Sequence, residues 1–249
     1  MREALSTLIL NIGFYFLFLA VSAAVIPAFV LIMAVQAPFM SHRTAMRRFR
    51  NLIKVYGRVV MLLPYPFVKI EYRNCSAAAH TPCIYICNHR SSSDPFLMAF
   101  LPGEIVQVVN NWPFRLPVLG RFARWAGYVS IREMSAEAFF ERGRELLSQG
   151  VSLAVFPEGT RSPTGVMGPF HGAGFRLAMQ CGVPLVPVCL TGTENTPRKG
   201  TLKLLPSQIR IHRLDPVRPE EFQGMGPFKL KSMVHGIIAA ETARMEAGQ

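Results

Sequence analysis

The sequence predicts an α/β fold, in which a mostly parallel seven-stranded sheet is flanked by helices and preceded by an N-terminal pair of membrane helices. Two observations lead to this fold class. Short apolar runs alternate with helical stretches from residue 65 onward, and residues 4–41 contain no Asp, Glu, Lys or Arg. Of the 249 residues, half are apolar and 17% are charged, compared with about 25% in an average soluble domain. This composition excludes disorder as a description of the chain, because disordered segments have low hydrophobicity.

The apolar run 4–41 predicts a membrane anchor. Its 38 residues exceed the ~20 that one spanning helix needs and fall just short of the ~40 that two need. Pro27 lies in its middle, and helices tend to end or kink just before a proline. We therefore expect a helical hairpin or a re-entrant pair of helices within one leaflet. A single tilted span and a cleaved signal peptide are the alternatives.

The segment 43–63 predicts a basic amphipathic helix at the membrane surface. Apolar residues recur in it at spacings of three and four, which gives a helix one apolar face. Basic residues beside an apolar segment are typical of the cytoplasmic side, where the anionic leaflet attracts them. We therefore expect anionic membrane lipids as a partner and no nucleic acid, because no base-reading motif is present. Six basic residues, half of the net charge of +12, lie here without an acidic neighbour: Arg43, Arg47, Arg48, Arg50, Lys54 and Arg58.

The following residues alternate between strands and helices, as in a sheet covered on both faces. The clearest predicted helices are 135–149, with Ser135 as N-cap, and 174–181, which ends at Gly182. We predict an anchor over 1–64 and an α/β domain over 65–249. The strand-like runs are 67–72, 82–87, 104–109, 127–131, 151–156, 184–190 and 208–214.

The cysteines predict neither disulfides nor a metal site. They are five in number and contain no Cys-x-x-Cys, so we interpret them as reduced, mostly buried small apolar residues in a cytosol-facing protein. Cys83-x-x-x-Cys87 has no matching downstream pair, which makes a zinc site improbable.

A histidine and an aspartate follow the second predicted strand, in Asn88-His89-Arg90-Ser91-Ser92-Ser93-Asp94-Pro95. The order Asp94-Pro95 predicts a helix N-cap followed by proline at the first helical position. A loop that turns into a helix can bring Asp94 to His89, where a carboxylate holding Nδ1–H leaves Nε2 as a general base. A purely structural role for this pair is the alternative.

Further polar groups follow other strands, where ligands of α/β sheets gather. The segment Phe156-Pro157-Glu158-Gly159-Thr160-Arg161-Ser162 follows one strand, and Arg132 closes another. The planar fork of arginine suits phosphate, and backbone N–H groups near Gly159 can contact an oxyanion. A Glu158–Arg161 pair that fastens a turn is the alternative. The apolar segment 183–188 is expected to be a packing wall.

In order and spacing, these segments resemble the four motifs of the glycerolipid acyltransferases, the lysophosphatidic acid acyltransferase family. The first motif, Asn-His-x-x-x-x-Asp, matches 88–94, and the second ends at Arg132. The third, Phe-Pro-Glu-Gly-Thr-Arg-Ser, matches 156–162 in full, and the fourth matches 183–188. Residues 170–178 also resemble the family's connecting helix. The resemblance covers about residues 80–215 and implies this family's fold.

The resemblance implies transfer of a fatty acyl group from a thioester to the hydroxyl of lysophosphatidic acid, giving phosphatidic acid in phospholipid biosynthesis. His89 would deprotonate the hydroxyl, and Asp94 would orient His89. The implied phosphate-binding residues are Arg132, Glu158, Gly159, Thr160 and Arg161, with Glu158 orienting Arg161 or the acceptor. No cofactor or metal is expected. Acyl-CoA or acyl carrier protein would supply the acyl group at the cytoplasmic face of the membrane.

One departure from the family leaves the acceptor open. Many members carry a lysine where this chain has Asn110 and Asn111, so another lysophospholipid or a lyso-aminolipid is the alternative acceptor. A membrane-bound acyl thioesterase would use the same His–Asp pair with water, but it leaves Arg132 and Arg161 unexplained. A non-catalytic lipid-binding protein would tolerate a broken pair, and this pair is intact.

Overall fold

A computed structural model describes residues 2–77, 82–110, 112–115, 118–162, 166–197 and 200–248. The residues form two compact units. The first comprises Met1–Glu71, Ser91–Leu101 and Gly192–Ile209, and the second comprises Tyr72–Arg90, Pro102–Thr191 and Arg210–Gln249. The predicted division after residue 64 stays a prediction.

Each of the seven strands overlaps one of the predicted strand-like runs, whereas the long C-terminal helix was not predicted. The helices are α1 (Arg2–Gln36), α2 (His42–Leu62), α3 (Asp94–Leu97), α4 (Leu119–Trp125), α5 (Ala136–Ser148), α6 (Ala173–Cys181), α7 (Pro219–Phe222) and α8 (Pro227–Ala247). The strands are β1 (Val68–Asn74), β2 (Ile84–Cys87), β3 (Ile105–Val109), β4 (Val129–Ser130), β5 (Ser152–Val155), β6 (Leu185–Thr191) and β7 (Ser207–Arg213).

The expected break at Pro27 is wrong, because α1 continues through it as one helix from Arg2 to Gln36. Proline removes a single backbone donor, and long apolar helices tolerate that loss when local adjustments satisfy the freed carbonyl. The chain turns instead at Ala37–Phe39, a short 3₁₀ segment that contains Pro38. Ser41 then caps α2 by accepting the N–H of Thr44 at 3.3 Å.

A single helix, α1, thus occupies the run over which a hairpin or a re-entrant pair of helices was expected, and the basic helix predicted over 43–63 is α2, which contacts α1. The Ser22 and Tyr56 hydroxyls are 2.8 Å apart, and Arg48 donates to Gln36 Oε1 at 2.5 Å. Near the other end of α1, the Asn11 side chain exchanges two 2.9 Å hydrogen bonds with the backbone of Leu204. By length and composition alone, α1 is long and apolar enough to cross a membrane.

Seven strands form one sheet in the described part of the chain, in the order β1-β7-β6-β2-β5-β3-β4. The strands β2 to β6 pair in parallel, and β7 pairs antiparallel to β6. This arrangement confirms the mostly parallel seven-stranded sheet. Every residue of β2, β5 and β6 is buried, as expected of strands covered on both faces. Both β1 and β7 begin in the first unit and end in the second.

Helices α5 and α6 pack closely in the second unit. Ser135 caps α5 by accepting the N–H of Ala138 at 3.2 Å, and Gly182 ends α6 in the left-handed region, so both predicted boundaries are confirmed. At Gly143 a Cβ atom would come within 2.4 Å of Leu177 Cδ2, which explains the absence of a side chain there.

The cysteines are all free thiols, and three of them are buried. Burial raises the pKa of Cys83 to about 11 and also raises the pKa of Cys189. These two thiols are therefore packing groups rather than nucleophiles at neutral pH. The prediction that most of the cysteines are buried is confirmed.

Candidate active site

The predicted site residues of the second unit follow the carboxyl ends of parallel strands. His89 follows β2, residues 156–162 follow β5, and Arg132 follows β4. Because β2 and β5 are neighbours in the sheet, the segments that follow them meet at one edge. The end of β4 lies three strand positions from β2, which is about 14 Å at ~4.8 Å per strand.

Asn88 fixes the point at which the chain leaves β2. Its side-chain amide donates to the carbonyl of Leu190 at 2.9 Å and accepts the N–H of Leu190 at 2.7 Å. The side-chain amide thus makes the two hydrogen bonds that a backbone peptide group would make, and it continues the pairing of β2 with β6 beyond the end of β2. This buried residue delivers His89 to a defined position, a role that was not recognised from its place in the motif.

Glu158 joins the loop of His89 to the connection between β5 and α6. This buried carboxylate accepts the backbone N–H of His89 through Oε1 at 2.7 Å and that of Gly168 through Oε2 at 2.9 Å. The carbonyl of His89 in turn accepts the N–H of Ser162 at 2.9 Å. Glu158 therefore holds the backbone of the histidine loop, a different role from the phosphate contact that the resemblance implies.

The rings of His89 and Phe156 lie against each other, with centroids 4.6 Å apart. His89 is half-buried, so part of its imidazole remains accessible. A ring packed on one face and accessible elsewhere is suited to proton transfer with a bound molecule.

Gly159 allows a tight turn beside His171. Its φ of +68° is a conformation that side chains disfavour, and a Cβ atom there would lie 3.1 Å from His171 Cδ2. The His171 N–H donates to the carbonyl of Pro157 at 2.7 Å, which closes the loop. His171 is thus a loop-closing residue. No group of three His, Cys, Asp or Glu side chains suited to a metal ion occurs among the described residues.

The side chains proposed to contact phosphate are the more accessible ones. Gly159 and Thr160 are exposed at the tip of the loop after β5, and Arg161 is half-buried beside them. Arg132 is exposed in the turn that follows β4. An accessible guanidinium near a backbone turn is suited to binding an anion that arrives from outside.

Asp94 belongs to the first unit, in which it is completely buried. The expectation that it caps a helix is wrong by one residue: Ser93 is the N-cap, Asp94 is the first helical residue and Pro95 the second. Its Oδ2 accepts the N–H of Ser91 at 2.7 Å, so the carboxylate closes the preceding turn. The pairing of Asp94 with His89 stays a prediction. Asn111, singled out with Asn110, lies outside the described residues.

One contact at this edge was missed because no local pattern signals it. The buried side chain of Arg90, the residue after His89, forms a 2.5 Å ion pair with Glu246 near the end of α8. The two residues are 156 positions apart in the chain. The ion pair ties the histidine loop to the C-terminal helix.

Comparisons with known proteins identify the family. Residues 69–191 match the family model described as Acyltransferase. The chain is 30% identical to a 1-acyl-sn-glycerol-3-phosphate acyltransferase of Limnanthes alba, over 66% of this chain and 68% of that protein. It is 29% identical to the enzyme of that name from Cocos nucifera, over 72% of this chain and 67% of that protein.

A solved structure has the same fold. It is the 1-acyl-sn-glycerophosphate acyltransferase PlsC of Thermotoga maritima, with a TM-score of 0.78 and 23% sequence identity. The match covers 99% of this chain and 100% of the other. With the sequence relatives and the motifs at the sheet edge, it leads to one conclusion: the chain belongs to the 1-acyl-sn-glycerol-3-phosphate acyltransferase family.

Proposed function

We propose that the protein transfers a fatty acyl group from an acyl thioester to the free hydroxyl of lysophosphatidic acid, giving phosphatidic acid in phospholipid biosynthesis. One observation carries the proposal: an accessible histidine at a strand end is held through its backbone N–H by the buried Glu158. Arg161 follows Glu158 on the same loop. The proposed base His89 and the proposed anion-binding Arg161 are thus on loops that Glu158 connects. The relatives of the chain are named for this reaction.

In the reaction that we propose, His89 acts as the general base. Its neutral Nε2 takes the proton of the acceptor hydroxyl while that oxygen attacks the thioester carbonyl. The new C–O bond forms, the C–S bond breaks, and the leaving thiolate recovers the proton from the imidazolium. A positioned base contributes a factor of about 10²–10⁴. Because a thiolate leaves readily, no acyl-enzyme is required, and either acyl-CoA or acyl carrier protein serves as donor.

Asp94 is assigned as the carboxylate that receives the Nδ1–H of His89. The assignment rests on the spacing Asn88-His89-x-x-x-x-Asp94, and the complete burial of the Asp94 side chain supports it. An ionised carboxylate at this position selects the tautomer with Nε2 unprotonated and stabilises the imidazolium.

The acceptor phosphate is assigned to Arg132 and Arg161, with Gly159 and Thr160 at the exposed tip of the loop after β5 as further contacts. Glu158 is assigned a positioning role at this site, because its negative charge disfavours direct contact with phosphate and its two oxygens accept the backbone amides of His89 and Gly168. Lysophosphatidic acid is therefore the proposed acceptor, although Asn110 stands where many relatives have lysine.

We further propose that the anchor lies within one leaflet at the cytoplasmic face of the membrane. Helix α1 contacts α2 through Ser22 and Gln36, and α2 carries a row of cations. If α1 crossed the bilayer, α2 would bring those charges into hydrocarbon at a cost of about 2.5–3.5 kcal/mol each. An interfacial position keeps them at the headgroups and exposes only one face of α1 to acyl chains.

The test is an assay of the purified full chain with lysophosphatidic acid, another lysophospholipid or no acceptor, and with both donor types. We expect phosphatidic acid as the main product, detected by lipid mass. His89→Ala should lower the rate by about 10²-fold or more. His42→Ala, a change of an exposed histidine on α2, should leave it unchanged. Full activity of His89→Ala would overturn the mechanism, and free fatty acid as the main product would indicate a thioesterase.

A further inference from the structure

Large apolar side chains at both ends of helix α4 in the second unit are exposed. Val118 and Trp125 are 49% and 57% exposed, and Ile131, just after β4, is 45% exposed. The inward positions of the same helix are the small residues Gly120 and Ala123. A surface helix of a soluble domain normally has the opposite arrangement, with its bulky apolar side chains facing the core. The outward face of α4 is therefore suited to an apolar partner.

The exposed groups are held in place by their neighbours. The rings of Phe122 and Trp125 lie 5.6 Å apart, and the guanidinium of Arg124 lies 4.8 Å from the centre of the Phe114 ring. Arg124 also reaches Glu133 at 3.4 Å. These contacts join the 3₁₀ turn before α4, the helix itself and the turn after β4 into one formed surface.

The positive charge of this surface indicates an anionic partner. Residues 105–132 contain four arginines and no acidic residue, and all four are exposed: Arg115, Arg121, Arg124 and Arg132. Arginine next to exposed tryptophan and aliphatic side chains is the composition of protein surfaces that sit at the lipid headgroup level. A neutral apolar protein partner would leave these charges without a counterpart, whereas a bilayer with anionic headgroups satisfies both components.

We propose that the outward face of α4, with Val118, Arg121, Trp125 and Ile131, inserts into the interface of an anionic bilayer. This contact belongs to the second unit and is separate from the anchor formed by α1 and α2. The bilayer contact rests on the proposed function at one residue. Arg132 belongs both to this surface and to the proposed phosphate site. A lipid acceptor can then move from the leaflet to the site without crossing water.

The test uses Trp125 as its own probe. The chain has two tryptophans, so Trp112→Phe leaves Trp125 as the single emitter. In vesicles of phosphatidylglycerol and brominated phosphatidylcholine, we expect a blue-shifted emission that the bromine atoms quench. If Trp112→Phe fails to fold, the difference between the unaltered chain and Trp125→Phe isolates the same signal. The measurement does not depend on catalysis, so it remains informative if the proposed reaction is wrong.

The matched control places the probe at the opposite edge of the sheet. Helix α5 carries the chain about 20 Å away from the turn after β4, at 1.5 Å per residue, and ends beside the exposed Gln149. Tryptophan at this position, made by Gln149→Trp in a Trp112→Phe/Trp125→Phe background, should not be quenched. Equal quenching at the two positions would overturn the proposal, as would an unquenched Trp125 in vesicle-bound protein.

The charge component is tested separately by Arg121→Gln/Arg124→Gln. Each arginine near an anionic surface favours insertion by about fivefold, so the equilibrium constant for insertion should fall about 25-fold. Quenching that is unchanged by this variant, or equal in vesicles without phosphatidylglycerol, would contradict an anionic partner. A blue shift that depends on protein concentration in detergent and not on lipid would indicate self-association instead.

Discussion

Glu158 fixes the loop that carries His89, the proposed general base. Its carboxylate is buried, and each oxygen accepts a backbone N–H, from His89 at 2.7 Å and from Gly168 at 2.9 Å. Hydrogen bonds to a charged acceptor are worth about 1.5–3 kcal/mol, more than those between neutral groups. A carboxylate at this position therefore fixes the backbone that carries the proposed base.

Replacing Glu158 by Gln should separate positioning from phosphate binding. The amide keeps the size of the side chain, but its NH₂ group must face one of two backbone donors, which then loses its acceptor. We expect a loss of about 1–3 kcal/mol in the free energy of unfolding. We also expect kcat to fall more than the KM for the acceptor rises.

Chemical denaturation and steady-state kinetics measure the two effects. Glu141→Gln, which changes an exposed carboxylate on α5, is the matched control and should alter neither. A Glu158→Gln variant of unchanged stability, with only its acceptor KM raised, would favour the phosphate contact that the resemblance implies.

At the scale of elements, the connection from β6 to β7 depends on one glycine. Gly192 has a φ of +78°, and a Cβ atom there would lie 2.0 Å from the carbonyl oxygen of Gln208. Gly200 in the same connection has a similar φ of +81° but open space around it. An alanine at either glycine would strain the backbone, but only at Gly192 would its Cβ atom also overlap a neighbour.

Gly192→Ala should destabilise the protein much more than Gly200→Ala. Both variants incur about 1–2 kcal/mol for a left-handed alanine. At Gly192 the overlap adds about 1–3 kcal/mol, because a backbone carbonyl cannot move aside as a side chain can. Urea unfolding of the two variants tests the difference, and equal losses would contradict the close approach to Gln208.

The contact between β7 and α8 predicts a dependence of stability on acid. Glu241 of α8 lies 2.7 Å from the Arg244 guanidinium and 2.6 Å from His212 Nδ1 of β7. Hydrogen bonding from Arg244, and to a smaller extent from His212, lowers the pKa of Glu241 to about 2 against the opposing effect of burial. The folded state therefore favours the charged carboxylate.

Because the pKa is lower in the folded state, this contribution to stability is complete above the unfolded pKa of about 4.3 and is lost as the pH falls towards 2. Glu241→Gln should remove that part of the pH dependence and lower stability at pH 7 by about 1–3 kcal/mol. Denaturation midpoints between pH 5 and pH 2 provide the measurement. A variant that keeps the slope of the unaltered protein would show that Glu241 does not contribute.

The central strands β2, β5 and β6 were predictable because each is a short apolar run, and burial inside a parallel sheet demands that pattern. The outer strands β1 and β7 instead alternate apolar with polar residues. The N-terminal helices were harder, because Pro27 favours a break whereas the apolar surroundings permit a continuous helix. The role of Glu158 could not be read from its motif. Its partners lie 69 and 10 residues away in the chain, and both contribute backbone atoms that carry no sequence signal.

At the scale of the whole molecule, the net charge of +12 is unevenly distributed, and this distribution affects binding to anionic lipid. In α2, Arg47 and Arg48 are exposed, whereas Arg50 is buried and Lys54 donates to the carbonyl of Leu101 at 2.6 Å. The basic cluster therefore divides into exposed cations, one of which, Arg48, also donates to Gln36 of α1, and cations that are buried or bound within the fold. Only the exposed ones are available to attract anionic lipid.

This division predicts how the protein distributes between two kinds of vesicle. In a mixture of phosphatidylglycerol-containing and pure phosphatidylcholine vesicles, the apolar contribution of α1 is the same for both, so the partition ratio reports the charges. Arg47→Gln/Arg48→Gln should lower the preference for anionic vesicles about 30-fold, from about 1 kcal/mol for each arginine. Arg142→Gln/Arg144→Gln on α5 makes the same change in net charge and should have a much smaller effect, because local charges are screened beyond about 10 Å at 0.1 M salt. If both double variants lower the ratio equally, net charge rather than the face of α2 directs the protein to the membrane.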